Sequence, residues 1–143
     1  MISAGQIYYC ENYEFGEGGC SNKLFIILNT PPNPTIPIIT CLTTTNFWYK
    51  PQDLGCYSDY GFFIIEKDYD WFNQKTWFEL HRTDEFNNKL FIEKVESGFY
   101  QLKNRLRKDT INAIINCALH CDDISEYKAH IITACKDCDK GLK

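Results

Sequence analysis

Four cysteines near the end of the chain have the residue type and the spacing of zinc ligands. Cys135 and Cys138 form a C-x-x-C pair, and Cys117 and Cys121, with His120 between them, could supply a second pair. A reduced thiol can instead pack as a small hydrophobic side chain, and Cys121 falls on the apolar face of a predicted helix. We therefore expect packing residues and no metal, and we keep a zinc-stabilised interaction protein as an alternative.

A second group with chemical potential is an aromatic segment followed by a lysine. Phe47, Trp48 and Tyr49 stand directly before Lys50. Exposed aromatic rings can stack on unpaired RNA bases, which is worth about 1–3 kcal/mol per base. The same rings could fill a core or a dimer interface. Trp48, Tyr49 and Lys50 are thus the candidate RNA-binding residues.

Composition limits what such residues could do. The chain has 143 residues, which predicts one domain that needs neither metal nor disulfide to fold. Its 15 basic and 19 acidic residues give a net charge of −4, which argues against nucleic-acid binding through a general positive field. Any nucleic-acid site must be local. Aromatic residues make up 15% of the chain and favour strands.

The eight cysteines and the absence of targeting signals point to one compartment. The first residues show no secretory pattern, and no apolar run is long enough to cross a membrane. We expect a cytoplasmic protein with no membrane partner, in which the cysteines stay reduced.

The elements that must position these residues are strands in the first two thirds of the chain. Alternating or continuous apolar runs predict strands over residues 6–13, 23–29, 36–42, 61–66 and 76–81. The pattern also permits a short strand over 90–95 and a strand or turn over 99–102. Residues 46–60 are expected to be irregular.

Helices are predicted at the end of the chain. Asp109 would cap a helix over 110–121, and Ser125 would cap a second over 126–135. Strands followed by helices predict a mainly β single domain, a small antiparallel barrel or strongly bent sheet with C-terminal helices packed on it. The barrel would span about 5–102 and the helices about 110–136, with a frayed tail over 137–143.

Three segments in order resemble a known family. Residues 5–8 have the form of an opening G-x-I strand, residues 15–23 form a loop bearing glycine and glutamate before an aliphatic strand, and residues 36–46 form a strand that ends in threonines. This order resembles the PemK/MazF-like family of SH3-like barrels, whose best-known members are mRNA endoribonucleases of toxin–antitoxin pairs. The resemblance covers residues 5–121. The family's Arg-Pro is Lys23-Leu24 here, which keeps the charge but loses the planar guanidinium.

The resemblance implies a metal-free attack of the ribose 2′-hydroxyl on the adjacent phosphate. Lys23 would stabilise the charged phosphorane. One or more of Thr43, Thr44 and Thr45 would donate a hydrogen bond to a phosphate oxygen. The general base would be Glu17 or, as the other candidate, His81, since an imidazole titrates near neutrality.

The implied function is a sequence-selective endoribonuclease toxin without cofactor. Its partners would be single-stranded RNA, a second copy of the chain and an antitoxin laid over the active groove. The acidic balance and the missing Arg-Pro keep open a non-catalytic protein- or nucleic-acid-binding module on the same barrel.

Overall fold

The described part of the chain forms seven strands and three helices, a mainly β fold, as predicted. The computed structural model describes residues 1–15 and 18–141, with the side chains of the last helix described as far as residue 134. The strands are β1 Gln6–Glu14, β2 Cys20–Ile27, β3 Ile38–Thr44, β4 Gly55–Tyr57, β5 Phe62–Ile65, β6 Thr76–Phe86 and β7 Tyr100–Arg105. The helices are α1 Asn88–Glu96, α2 Lys108–Leu119 and α3 Glu126–Gly141.

All seven strands belong to one antiparallel sheet. Their order is β4-β5-β6-β3-β2-β1-β7, and every pair of neighbours runs antiparallel. Within the described residues no ladder joins the edge strands β4 and β7, so the sheet is open. The mainly β class with C-terminal helices is therefore confirmed, whereas closure of the sheet into a barrel is not. None of the three described helices is both long enough and apolar enough to cross a bilayer.

A bulge in strand β6 interrupts its ladder with β3. Cys41 of β3 pairs with Thr83, whereas Thr43 pairs with Phe78, so four residues of β6 lie opposite one residue of β3. Such an insertion bends the strand and re-aims its side chains. The backbone of Gly61 lies against this bulge with φ +74°, and a Cβ at Gly61 would come within 2.3 Å of the Cβ of His81. Only glycine fits there.

The two faces of the sheet carry different cores, because successive side chains of a strand point to opposite faces. One face, which we call the aliphatic core, packs against α2 and α3 and is built mostly from isoleucine, leucine, alanine and cysteine. The other, the aromatic core, packs against α1. The buried residues of the aromatic core are Tyr8, Cys10, Tyr13, Phe25, Ile27, Ile38, Leu42, Phe91 and Tyr100.

Helix α1 and strand β4 correct the predicted elements. The strand predicted over 90–95 is a helix, capped by Asn87, whose side chain accepts from the Leu90 amide at 3.1 Å. Phe91 and Val95, one turn apart, both pack on the aromatic core. The region 46–60, expected to be irregular, contains the short strand β4. Three residues are too few to show a period in the sequence.

Helix α2 confirms the predicted amphipathic face. Ile111, Ile114, Ile115 and Ala118 are all buried in the aliphatic core. The helix begins at Lys108, so the predicted cap Asp109 lies in its first turn, where its charge still complements the helix dipole. Helix α3 extends to Gly141, six residues beyond its predicted end.

The prediction that the cysteines are reduced is wrong for one pair. Cys56 on β4 and Cys117 on α2 form a disulfide, with their Cα atoms 5.5 Å apart. The two residues are 61 positions apart in sequence, and the packing of α2 against the β4–β5 edge brings them together. Among the other described cysteines, Cys10, Cys41 and Cys121 are buried free thiols and Cys20 is exposed.

Candidate functional site

A groove at the rim of the sheet contains four of the predicted site residues. It lies beside the first half of β2 and the end of β3 and has a volume of about 280 Å³. Its lining residues are Tyr9, Asn22, Lys23, Leu24, Thr43, Thr44, Thr45, Phe72 and Thr76. Lys23 and the threonine cluster, separated by twenty positions in sequence, therefore face one space. We call this space the rim groove.

The register of β2 and β3 explains why these residues meet. Phe25 pairs with Leu42, so the antiparallel ladder continues toward Leu24 beside Thr43 and Lys23 beside Thr44. The Thr43 hydroxyl donates to the carbonyl oxygen of Leu24 at 2.9 Å, which fixes the end of β3 against β2. A one-residue shift of β2 against β3 would turn Lys23 to the other face of the sheet, away from Thr44.

The three threonines differ in what they can offer to an anion. The hydroxyl hydrogen of Thr43 is already donated to Leu24. The Thr44 oxygen accepts from the Asn46 amide at 3.1 Å, so its own hydrogen can still be donated. Thr45 is exposed. Thr44 and Thr45 are thus the better hydrogen-bond donors, and Thr43 holds the strands together.

Lys23 shares an aromatic ring with an arginine that sequence reasoning missed. The Lys23 ammonium lies 5.9 Å from the centre of the Phe15 ring, and the Arg82 guanidinium carbon lies 5.8 Å from the same centre. Arg82 also forms an ion pair with the buried Glu79 at 3.0 Å. The bulge in β6 brings Arg82 to this place, and the sequence alone gave no signal of that bulge.

His81 does not line the rim groove. Its ring packs against Phe62 with centroids 4.9 Å apart, and its Nδ1 lies 3.4 Å from the carbonyl oxygen of Gly61. The bulge places it on the side of β6 that contacts β5. The structure therefore does not bring His81 together with Lys23. Glu17, the other base candidate, lies outside the described residues.

The aromatic segment forms an exposed loop next to the threonine cluster. The rings of Phe47 and Trp48 stack with centroids 5.4 Å apart at 17°, and Trp48 is 65% exposed. Tyr49 is fully exposed. The Lys50 ammonium lies 5.9 Å from the centre of the Phe62 ring. The faces needed for stacking on bases are thus available to solvent.

Hydrogen bonds hold the backbone of this loop in place. The Gln52 side chain donates to the carbonyl oxygens of Phe47 and Lys50, at 3.0 and 2.8 Å. The indole of the buried Trp77 donates to the carbonyl oxygen of Pro51 at 2.8 Å. Exposed rings on a fixed backbone lose little conformational freedom when a ligand stacks on them.

The cysteines considered for zinc do not assemble in the described part of the chain. The disulfide with Cys56 occupies Cys117, and the Cys121 thiol donates to the Cys117 carbonyl oxygen at 3.3 Å. The side chains of Cys135 and Cys138 lie outside the described residues. Elsewhere in the described ranges, no group of three or more histidine, cysteine or acidic residues could hold a metal ion.

The rim groove has the features of a phosphate-binding site without an evident base. An ammonium and two hydroxyl donors can hold non-bridging phosphate oxygens. None of the described lining residues is a carboxylate or an imidazole. Binding of a nucleic-acid backbone is therefore within reach of the described residues, whereas proton abstraction needs a residue from elsewhere.

Comparison with known proteins leaves the chain without an assigned family. The sequence matches no protein-family model and no curated protein. The resemblance to the PemK/MazF-like family stays a prediction.

Proposed function

We propose that the protein is a toxin-type, sequence-selective, metal-independent endoribonuclease on an SH3-like sheet of the PemK/MazF type. The observation that carries the proposal is the convergence of Lys23 with Thr43, Thr44 and Thr45 on the rim groove. The family resemblance had linked these residues through sequence order only. Their shared groove is an independent reason to assign them one ligand.

The proposed reaction is a transesterification within the RNA strand. The ribose 2′-oxygen attacks the adjacent phosphorus, a base takes the 2′-proton, and the bond to the 5′-oxygen breaks as that oxygen is protonated. The products are a 2′,3′-cyclic phosphate and a 5′-hydroxyl. Lys23 would stabilise the charge on the phosphorane, with Thr44 and Thr45 donating to its oxygens and Arg82 adding positive charge beyond Phe15.

Glu17 is our proposed general base. It belongs to the loop that follows Phe15, whose ring packs under the Lys23 ammonium. His81 is the less favoured candidate because it faces Phe62 and Gly61. Replacing Glu17 with glutamine should remove cleavage while binding persists, whereas His81→Gln should leave both nearly unchanged.

Bases flanking the cleaved phosphate would stack on the exposed loop. Trp48 and Tyr49 present open ring faces three and four residues after Thr45, and Lys50 adds a positive charge. Stacking of this kind tolerates many bases, so sequence selectivity would come from hydrogen bonds to base edges. Asn22, in the lining of the groove, is a suitable donor and acceptor for such an edge.

The test is cleavage of a single-stranded RNA by purified protein in EDTA. The native chain should produce cyclic-phosphate ends, and Lys23→Ala should reduce the rate about 100-fold or more, the usual effect of removing one transition-state donor. Lys67→Ala, which removes an exposed lysine of the β5–β6 connection, is the matched control and should cleave normally. Intact RNA with both the native chain and Lys23→Ala would overturn the enzymatic proposal.

A non-catalytic RNA-binding module is the second candidate. It is favoured by the lack of a carboxylate or imidazole among the described lining residues of the rim groove. It predicts saturable RNA binding that Lys23→Ala weakens, without cleavage by the native chain. Measuring binding and cleavage on the same RNA separates the two candidates.

The proposed partners and location follow the family resemblance. We expect a homodimer and an antitoxin segment that covers the rim groove, in the cytoplasm. That compartment keeps most thiols reduced, so the Cys56–Cys117 disulfide would have to resist reduction there. Rapid alkylation of protein denatured directly on extraction from cells should then leave Cys56 and Cys117 unmodified, and modification of all 8 cysteines would contradict this expectation.

A further inference from the structure

A second cavity lies on the face of the sheet that carries the aromatic core, between residues of β1, β7 and α1. It has a volume of about 180 Å³ and is lined by Cys10, Tyr13, Glu14, Phe86, Lys94, Phe99 and Tyr100. A neighbouring cavity of about 430 Å³ shares Phe86, Lys94 and Tyr100 with it. We call the smaller one the aromatic cavity. It shares no residue with the rim groove.

Four rings form the walls of the aromatic cavity. Tyr13 meets Phe86 at 90° with centroids 6.4 Å apart, and Phe86 meets Tyr100 at 62° and 6.1 Å. Phe99 continues the series at 47° and 5.4 Å from Tyr100. Rings inclined in this way enclose a space with several π faces and do not fill it by stacking on one another.

The thiol and the two phenols that line the cavity are buried and uncharged at neutral pH. Burial raises the pKa of the Cys10 thiol, so the group stays protonated. Burial, with the nearby Cys10, Asp84 and Glu14, raises the pKa of Tyr100 to about 12. Burial and its donation to Asp84 likewise raise the pKa of Tyr13 far above its ordinary value. None of these three groups therefore carries a charge that a ligand would have to neutralise.

Charged side chains stand at the mouths of both cavities. Glu14 and Lys94 are exposed at the aromatic cavity, and Glu85 and Glu93 line the neighbouring one. Asp84 accepts the Tyr13 hydroxyl behind the wall. Glu14 offsets the charge of Lys94 at the aromatic cavity, and Glu85 and Glu93 add negative charge at the neighbouring one, where the rest of a cationic ligand would lie.

The cavity's rings already hold a cation from the chain itself. The Lys94 ammonium lies 5.2 Å from the centre of the Phe99 ring and 5.4 Å from that of Tyr100. Both distances fall within the range of cation–π attraction, about 6 Å. Lys94 is exposed and can turn away on its flexible stem, so it marks the place that an external cation would take.

We propose that the aromatic cavity binds an alkylated ammonium group, with the rest of the ligand in the neighbouring cavity. Several inclined ring faces and a carboxylate at the mouth suit a cation that carries no hydrogen-bond donors of its own. A primary ammonium would leave donors unsatisfied against the rings. The volume of 180 Å³ is below the range of about 300–1,000 Å³ that drug-sized ligands occupy, and it suits a single head group.

The same head group occurs in free choline-like molecules and in trimethyllysine side chains. Titration of the isotope-labelled protein with tetramethylammonium, followed by NMR, should shift the amide signals of Tyr13, Phe99 and Tyr100 with saturation. Choline and a short peptide carrying trimethyllysine are then compared, and the tighter of the two identifies the source. The neutral isostere of choline, 3,3-dimethylbutanol, should bind at least about fivefold more weakly.

Variants at the exposed Phe99 and Lys94 test ligand binding in the cavity without disturbing its buried residues. Phe99→Leu, which keeps the bulk but loses the π face, should weaken tetramethylammonium binding about fivefold, and Phe99→Tyr should preserve it. Lys94→Met should strengthen binding about threefold by removing the competing cation. Lys103→Met is the matched control, because the Lys103 ammonium rests on Tyr9, outside the cavity, at 5.6 Å.

The proposal is overturned by any of three results. These are no saturable shift with tetramethylammonium, equal affinity for the neutral isostere, and an unchanged affinity in Phe99→Leu. RNA cleavage or binding by Phe99→Leu should equal that of the native chain. A chain that neither cleaves nor binds RNA could therefore still bind the alkylated ammonium group. Likewise, failure to bind tetramethylammonium would not contradict the proposed action on RNA.

Discussion

The aliphatic core and the aromatic core lie on opposite faces of the same sheet but are covered very differently. Two helices, α2 and α3, close the aliphatic core, and the Cys56–Cys117 disulfide ties α2 to the sheet edge. A single nine-residue helix, α1, covers the aromatic core. The aromatic cavity lies at the end of α1.

This difference suggests that the two faces have different roles, because their residue types pack differently. Branched aliphatic side chains interdigitate closely, so a face built from them contributes stability and leaves little space. Large rigid rings beneath a short helix leave gaps with defined walls, and they carry phenol and thiol groups into the interior. We expect stability to depend chiefly on the aliphatic core and ligand binding on the aromatic face and the rim groove.

The largest expected effect is on the stability of the aliphatic core. Ile114→Ala on α2 should lower the free energy of unfolding by about 2–5 kcal/mol, because Ile114 is fully buried. Ile92→Ala on α1 is the matched control; Ile92 is 38% exposed and should cost far less. Urea denaturation of both variants measures this. Equal losses would contradict the role of the buried Ile114 side chain in the stability of the aliphatic core.

The disulfide should contribute the next largest effect. Cys56→Ser should lower the free energy of unfolding by about 2–4 kcal/mol, since the bond closes a loop of 61 residues in the unfolded chain. The same loss is expected on adding a reductant to the native protein. Cys20→Ser replaces an exposed free cysteine and serves as the control. If neither the reductant nor Cys56→Ser changes the free energy of unfolding, the bond contributes nothing to the stability of the aliphatic core.

Replacing Trp48 tests RNA binding by the exposed loop separately from the stability of the fold. Trp48→Ala should weaken single-stranded RNA binding by about 1–3 kcal/mol, the value of one stacked base. Unfolding should change by less than about 0.5 kcal/mol because the side chain is exposed. Tyr60→Ala, also 65% exposed but outside the loop, is the control and should bind normally. Fluorescence anisotropy with labelled RNA compares them, and similar affinities for all three proteins would remove the loop from the proposed site.

The smallest expected effect concerns the aromatic core. It is the loss of stability that follows deprotonation of Tyr100 at alkaline pH. Tyr100 has a pKa raised from 10.0 to about 12, so the folded state holds its proton more tightly than the unfolded state does. That contribution is complete below pH 10 and is lost as the pH rises toward 12. Tyr100→Phe should flatten the fall in stability over this interval. Denaturant unfolding across the interval provides the measurement, and a native chain as insensitive as Tyr100→Phe would contradict the assignment.

Local patterns predicted much of the fold. The strands around residues 6–13, 23–29 and 36–42 and the buried face of α2 follow from runs of apolar residues. Helix α1 was missed because Leu90, Phe91 and Ile92 are consecutive β-forming residues, two of which are exposed in the structure. Only the packing of Phe91 and Val95 on the aromatic core decides between helix and strand there.

The candidate sites were predicted to different degrees. Lys23 and the threonine cluster were selected in advance, and their meeting depends on the register of β2 and β3, which no local pattern reveals. The place of Arg82 beside Phe15 depends on the bulge in β6. The aromatic cavity had no signal at all, because its residues come from β1, β6, α1, β7 and the segment between α1 and β7.

By itself, the sequence determined the strand-rich class, the amphipathic C-terminal helix and the residue types available for phosphate and base contacts. Those properties depend on side-chain chemistry and on periods of a few residues. Tertiary structure alone decided the Cys56–Cys117 pairing, the separation of His81 from Lys23 and the enclosure of the aromatic cavity. Each depends on strand register, a bulge or helix docking, which join residues distant in sequence and depend on the packing of the whole chain.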